Sequence, residues 1–355
     1  MSYQQNKHRC NLVVDSCCDL PRQLLDEAEV EVLEFTCHLD GKEFYDDMWK
    51  TMSPKDYYDH LRNGSDSSTM QVPMAQYVEL FNRIAESGVP TVVLSFSSGL
   101  SGTFETARLV LDQVKAEHPE AEIYLVDTLL ASIAEGLLAL GAIRQRDRGL
   151  TAAELAAWAE EARYYVHGYF TLDSLEWLKK GGRIPPLVAG IGAKLDIKPI
   201  LGFDLEGHLA NLSMVRGRRK SIKAIDSLFE ERSVDASQTS VVIGSADAEK
   251  DADAIEERAS KHCKLHHVVR TTIGPVIGSH VGPGMIAFSF WGQDRRKAAT
   301  VSDRIANRVR SDAGGRKATG QQTASRIARE AGDGRAELSV IDGGQAHDTA
   351  GTGTD

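Results

Sequence analysis

From Leu12 to Arg146, short apolar runs of strand character alternate with segments of helical periodicity, and that alternation restricts the chain to an α/β layered fold. Strands are predicted over 12–14, 30–38, 89–95 and 123–126, and helices over 23–28, 54–62, 77–87, 103–117 and 131–146. Tyr77, Leu80, Phe81 and Ile84 fall on one helical face, as packing on a sheet requires. Residues 63–68 read as a polar loop. A second α/β unit follows, with an aromatic strand at 164–170, a short helix at 175–180 and an apolar helix at 187–195. Segments 197–203 and 209–215 flank Asp204 to His208 as a hairpin. A basic helix from Arg218, strands at 240–244, 265–271 and 286–291, and a helix at 248–262 complete this unit. The predicted division is an N-terminal α/β domain at 8–160, a C-terminal α/β domain at 161–292 and an extra tail at 293–355. The tail is rich in Gly, Ala, Thr, Asp and Arg and is expected to be largely disordered, because it offers too little apolar surface to offset the entropy of ordering.

With 42% hydrophobic and 26% charged residues, the 355-residue chain can bury a sizeable core. No apolar run is long enough to span a bilayer, and the first ten residues lack a signal-peptide core. A cytoplasmic protein without stable membrane insertion is expected. The net charge is −10 and the tail is slightly basic, so the body is more acidic still, which argues against general nucleic-acid binding. Cys10, Cys17, Cys18, Cys37 and Cys263 are odd in number and lack metal-type spacing, so reduced thiols are expected and no metal site.

Two segments point to a binding site. Gly274 to Gly284 sets His280 among four glycines and two prolines and reads as a shaped loop. A lone histidine is more often structural, but a second signal accompanies it. Between a strand and a helix, residues 97 to 106 carry five Ser or Thr, where one hydroxyl would suffice as a cap. Hydroxyls and amides at a helix start favour an anion. Enzymatic templates fail: 190–195 lacks the third glycine of a dinucleotide fingerprint, and Gly99-Leu100-Ser101-Gly102 is one residue short of a hydrolase nucleophile elbow.

Asp15-Ser16-Cys17-Cys18-Asp19-Leu20-Pro21, Thr69-Met70-Gln71, Ser97-Ser98-Gly99-Leu100-Ser101-Gly102-Thr103, Val126-Asp127-Thr128, Lys180-Gly181-Gly182-Arg183-Ile184, Ile197-Lys198-Pro199, Val215-Arg216-Gly217-Arg218 and the His280 segment occur in an order that resembles the DegV family of bacterial fatty-acid-binding proteins, over roughly residues 8 to 292. The resemblance implies a two-domain fold with a ligand tunnel between the domains, a long-chain fatty acid in that tunnel, and its carboxylate held by Thr69, Ser98 and His280. Ser97 is the first alternative to Ser98 and Ser101 the second. It further implies a non-catalytic role with no cofactor. The bound acid would be presented to a separate fatty-acid kinase that makes acyl phosphate for lipid synthesis. Arg183, Arg216 and Arg218, in a local basic group on the acidic body, are candidates for docking that kinase. Cys17 and Cys18 stand where the family usually carries hydroxyl residues, and Val72 intervenes before Pro73. The competing reading is an acyl hydrolase with Ser98 or Ser101 as nucleophile and His280 as base.

Overall fold

The computed structural model describes residues 8–185 and 196–297. The helix predicted at 187–195 and the tail beyond 297 lie outside the described residues, which belong to one compact unit spanning Met1–Ala298.

Four strands, β1 (Asn11–Asp15), β2 (Glu31–Leu33), β6 (Thr91–Ser95) and β7 (Ile123–Asp127), form a wholly parallel sheet in the order β2-β1-β6-β7. β6 is buried along its whole length, as expected of a parallel strand covered on both faces. Three further strands, β3 (Thr36–Leu39), β4 (Lys42–Tyr45) and β5 (Ser67–Met70), make a small antiparallel sheet in the order β4-β3-β5. The third sheet is mixed. It runs β10 (Leu209–Arg216), β9 (Ile197–Phe203), β8 (Val166–Thr171), β13 (Ile286–Trp291), β11 (Ser240–Ser245), β12 (His267–Thr272), and only β11 and β12 pair in parallel.

The helices are α1 (Arg22–Glu27), α2 (Pro54–Arg62), α3 (Met74–Ser87), α4 (Thr103–Glu117), α5 (Ile133–Asp147), α6 (Ala152–Ala162), α7 (Glu176–Lys180), α8 (Arg218–Arg232), α9 (Glu249–His262) and α10 (Pro275–Val281). Local chemistry explains several of their ends. Ser53 caps α2 by accepting from the Asp56 amide, with Pro54 at the first helical position. Thr151 and Glu154 form a reciprocal capping box on α6. The buried face of α3 is Tyr77, Leu80, Phe81 and Ile84, as its periodicity predicts.

α6 packs on β6 and β7, while α5 packs on β8, β11 and β13. One apolar core therefore extends from the parallel sheet through α5 and α6 to the near face of the mixed sheet. A second core, built on Ile225, Phe229, Phe288 and Phe290, lies on the far face under α8 and α9.

Three differences from the predicted elements matter for the site. The run 30–38 is two strands: β2 joins the parallel sheet and β3 the small one. At the crossover the Glu34 amide donates to Gln76 Oε1 at 3.0 Å and the Phe35 amide to Ser16 Oγ at 3.2 Å, so the chain changes sheets without stranding its N–H groups. The predicted loop at 63–68 ends in β5, whose register places Thr69 opposite Cys37. The glycine-rich segment is not a loop but the short helix α10, with Pro275 at its first position and Gly282 (φ 69°) ending it.

Candidate ligand-binding site

A cavity of about 820 Å³ of empty space, mouth included, opens where β5, the turn after β6, the start of α5, strand β8, the β9–β10 hairpin and α10 converge. Most of its wall is apolar: Phe96, Ile133, Phe170, Phe203, Val276 and Met285 are examples. The polar residues that line it are Thr69, Gln71, Ser101, Ser132, Arg183 and His280. Thr69 and His280 touch, and Arg183 acts on His280 and donates to the Leu100 carbonyl next to Ser101. Arg183 is the only Lys or Arg among the described residues that line it.

Strand β5 and helix α10 place Thr69 and His280 face to face, with Thr69 Oγ1 2.8 Å from His280 Nε2. A second tie beside it fixes that geometry: Ser67, two residues before Thr69, meets Ser279 Oγ at 2.5 Å, and Tyr57 Oη lies 2.8 Å from Ser279 Oγ and donates to the Pro275 carbonyl at 2.9 Å. Burial, with the Arg183 guanidinium a smaller influence, holds the His280 imidazole down to about 4. The ring is therefore neutral at pH 7. Its Nδ1 is buried with no hydrogen-bond partner among the described residues. If Nε2 carries the proton, His280 donates to Thr69 Oγ1 and leaves the threonine O–H free to donate to a ligand.

The remaining predicted residues are dispersed. Ser97 is buried and lies outside the cavity lining; its Oγ donates to the Gly207 carbonyl at 2.9 Å, fastening the tip of the β9–β10 hairpin. Gly99 deepens that contact, because a Cβ there would stand 2.7 Å from the Glu206 carbonyl oxygen and the Gly207 carbonyl carbon. Ser98 is exposed and also outside the lining, its amide donating to Asp127 Oδ1 at 3.2 Å. Of these three serines it is Ser101 that lines the cavity, with its Oγ 2.8 Å from Thr103 Oγ1. Arg183 is exposed and also lines the cavity, with its guanidinium donating to the Leu100 and Gly181 carbonyls. Arg216 is exposed at the end of β10. Arg218 is not a free surface charge: it donates to Asp251 Oδ2 at 2.8 Å and to the Gly284 carbonyl at 2.6 Å.

A serine–histidine relay is not assembled. Ser101 is paired with Thr103, His280 with Thr69, and no carboxylate orients Nδ1 among the described residues. Sequence reasoning singled out Gln71 only as part of the Thr69-Met70-Gln71 motif and missed Ser132 in the lining, and it missed that four carboxyls, Asp15, Asp19, Asp46 and Glu135, are buried. Burial pushes Asp15 and Asp19 up to about 7 and raises Asp46 and Glu135 well above the ordinary carboxyl range. No helix among the described residues is long and apolar enough to cross a membrane.

Comparison with known proteins agrees with this architecture. A DegV domain-containing protein of Clostridium perfringens is 34% identical over 284 residues, covering 80% of this chain and 98% of that protein. The structure of a DegV family protein from Thermus thermophilus, described for its fatty acid binding, superposes with a TM-score of 0.70 at 26% identity, covering 80% of this chain and 99% of that one. DegV of Bacillus subtilis, a fatty acid binding protein, superposes with a TM-score of 0.68 at 25% identity over 81% of this chain and 100% of its own. The profile of the family described as "uncharacterised protein, DegV family" matches residues 9–293, and the chain belongs to that family.

Proposed function

We propose that this protein binds one long-chain fatty acid, with the acyl tail in the apolar cavity between its two α/β halves and the carboxylate at Thr69 and His280. The observation that carries this reading is a mostly apolar cavity into which the contacting pair Thr69 and His280 faces, with Arg183 acting on His280 and donating to the Leu100 carbonyl beside Ser101. A buried carboxylate needs donors and a compensating charge. Thr69 and Ser101 offer hydroxyls, and Arg183 offers the charge that the neutral imidazole of His280 does not. Burying fifteen methylenes is worth about 12 kcal/mol gross, enough to retain tight binding after association entropy. The fatty-acid-binding relatives from Thermus thermophilus and Bacillus subtilis support the ligand class.

In this reading the protein acts in the cytoplasm as a carrier, presenting the acid to an ATP-using fatty-acid kinase that forms the acyl phosphate. Ser98 lies outside the cavity, so the head group rests on Thr69 and His280, with Ser101 in the serine's place. Paired titrations with palmitate and methyl palmitate test the reading. The free acid should bind at least tenfold more tightly, as expected when a charged acceptor loses donors worth about 1.5 to 3 kcal/mol. Equal affinity for acid and ester would contradict it.

A further inference from the structure

The opening motif Asp15 to Pro21 contributes nothing to the cavity lining, yet its second aspartate touches two of the cavity's walls from behind. Asp19 is 4% exposed and closes a 3₁₀ turn (Ser16–Cys18) in the left-handed region at φ 51°. Its Oδ2 accepts from Ser132 Oγ at 2.5 Å, and its Oδ1 accepts from the Gly274 amide at 2.8 Å. Ser132 belongs to the wall segment 131–134, and Gly274 is the N-cap of α10, the helix that carries His280. One carboxyl group thus spans the wall against which the tail would lie and the helix that presents the head-group histidine.

Both attachment points are unusual. Ser132 holds φ 56° and ψ −143°, a backbone conformation that a non-glycine residue keeps only when its surroundings enforce it. Gly274 is pressed so closely on the carboxylate that a Cβ there would stand 2.6 Å from Asp19 Oδ1 and 3.2 Å from Asp46 Oδ2. Neither feature is needed to bury apolar surface. We infer that Asp19 is a positioning residue for the ligand site, setting His280 against Thr69 through the N-cap of α10 and holding the 131–134 wall through Ser132. This rests on the lipid-binding reading for its functional consequence, but not for its geometry.

An amide in place of the carboxyl preserves both ties, since Asn Oδ1 accepts from Gly274 and its NH₂ donates to Ser132 Oγ. Affinities for palmitate and methyl palmitate are therefore compared, well below the melting midpoint, in wild type, Asp19→Ala, Asp19→Asn and Ser132→Ala. Asp19→Ala should lose most of the preference for the free acid, about tenfold, because His280 is released. Asp19→Asn should keep that preference. Ser132→Ala should weaken acid and ester equally, since it loosens only the tail wall. A folded Asp19→Ala protein with full preference overturns the inference, as does a folded Asp19→Asn protein that has lost it, the latter deciding the case if the alanine variant does not fold. If wild type binds neither ligand, the lipid-binding reading fails and the positioning role is decided by the imidazole NMR signals of His280 in ligand-free protein. Those signals should move in Asp19→Ala and stay in Asp19→Asn and Ser132→Ala. Unmoved signals in Asp19→Ala would refute the role.

Discussion

Replacing Gly181 by alanine isolates the head-group site more cleanly than removing any of its donors. Gly181 follows α7 with φ −75° and ψ −6°, a helical conformation in which alanine is comfortable and even favoured over glycine by about 0.4 to 1 kcal/mol. What excludes a side chain is His280. A Cβ on Gly181 would stand 2.1 Å from Nδ1, 3.0 Å from Cε1 and 3.2 Å from Cγ of the ring. To regain an attractive separation of about 3.5 Å from Nδ1, the imidazole must retreat by roughly 1.4 Å. Its 2.8 Å contact with Thr69 does not survive such a retreat. With the donor pair disrupted, palmitate affinity should fall about ten- to a hundredfold, the equivalent of roughly 1.5 to 3 kcal/mol, while methyl palmitate is affected much less. Gly182→Ala is the control, because Gly182 has φ 70° and nothing within 4 Å of an added Cβ. It should lower the melting temperature, at a strain of about 1 to 2 kcal/mol, and leave binding unchanged. Displacement titration of a fluorescent fatty acid on both variants provides the measurement. Wild-type palmitate affinity in Gly181→Ala would show that the position of His280 is irrelevant to the ligand.

The buried carboxyls predict a stability profile that falls toward alkaline pH. Asp15 and Asp19 are raised from 3.8 to about 7, so each contributes stability present below pH 4 and lost as pH rises toward 7, on the order of 4 kcal/mol apiece. His167 and His280, lowered from 6.5 to about 4 chiefly by burial, contribute in the opposite sense, but only below about pH 6.5. Above about pH 6.5 the histidines no longer compensate while Asp15 and Asp19 finish ionising, so the melting temperature should drop between pH 6.5 and about 7.5. Asp46 and Glu135, also raised by burial, act in the same direction, and Glu135→Gln should lessen the alkaline loss. A melting temperature that is constant or rises over this interval would count against the buried acid cluster. The arginines should separate: Arg218→Glu should lower stability by opposing Asp251 and releasing the Gly284 carbonyl, whereas Arg216→Glu should leave stability and lipid affinity alone and weaken coupling to a fatty-acid kinase. Equal melting temperatures for the two variants, measured by calorimetry, would contradict that assignment.

Most elements are legible because periodicity and caps are local. Helices 54–62 and 103–117 and strand 286–291 coincide with their predicted limits, and the hairpin around 204–208 forms as its turn residues imply. α6 is announced by Thr151 and Glu154, a capping box that sequence reading can recognise but passed over. β4 and β5 are harder, since four-residue strands with polar residues carry little alternation, and it is β5 that delivers Thr69. α10 is misread as a loop because its glycines serve packing: at Gly278 a Cβ would meet Tyr58 Oη at 2.8 Å. The choice among Ser97, Ser98 and Ser101 was not legible at all. Side-chain direction within a turn depends on its backbone path, which adjacent residues of the same type do not reveal. Asp15, Asp19, Asp46 and Glu135 were equally hidden, because charged residues ordinarily mark a surface.

A fatty acid held in the cavity should be recovered by mass spectrometry of lipid extracted from the 355-residue protein purified from a bacterial host. An apolar cavity of this kind should retain its ligand through purification, giving about one long-chain fatty acid per chain. Absence of extracted fatty acid, together with no detectable binding of added palmitate or oleate, would contradict the account.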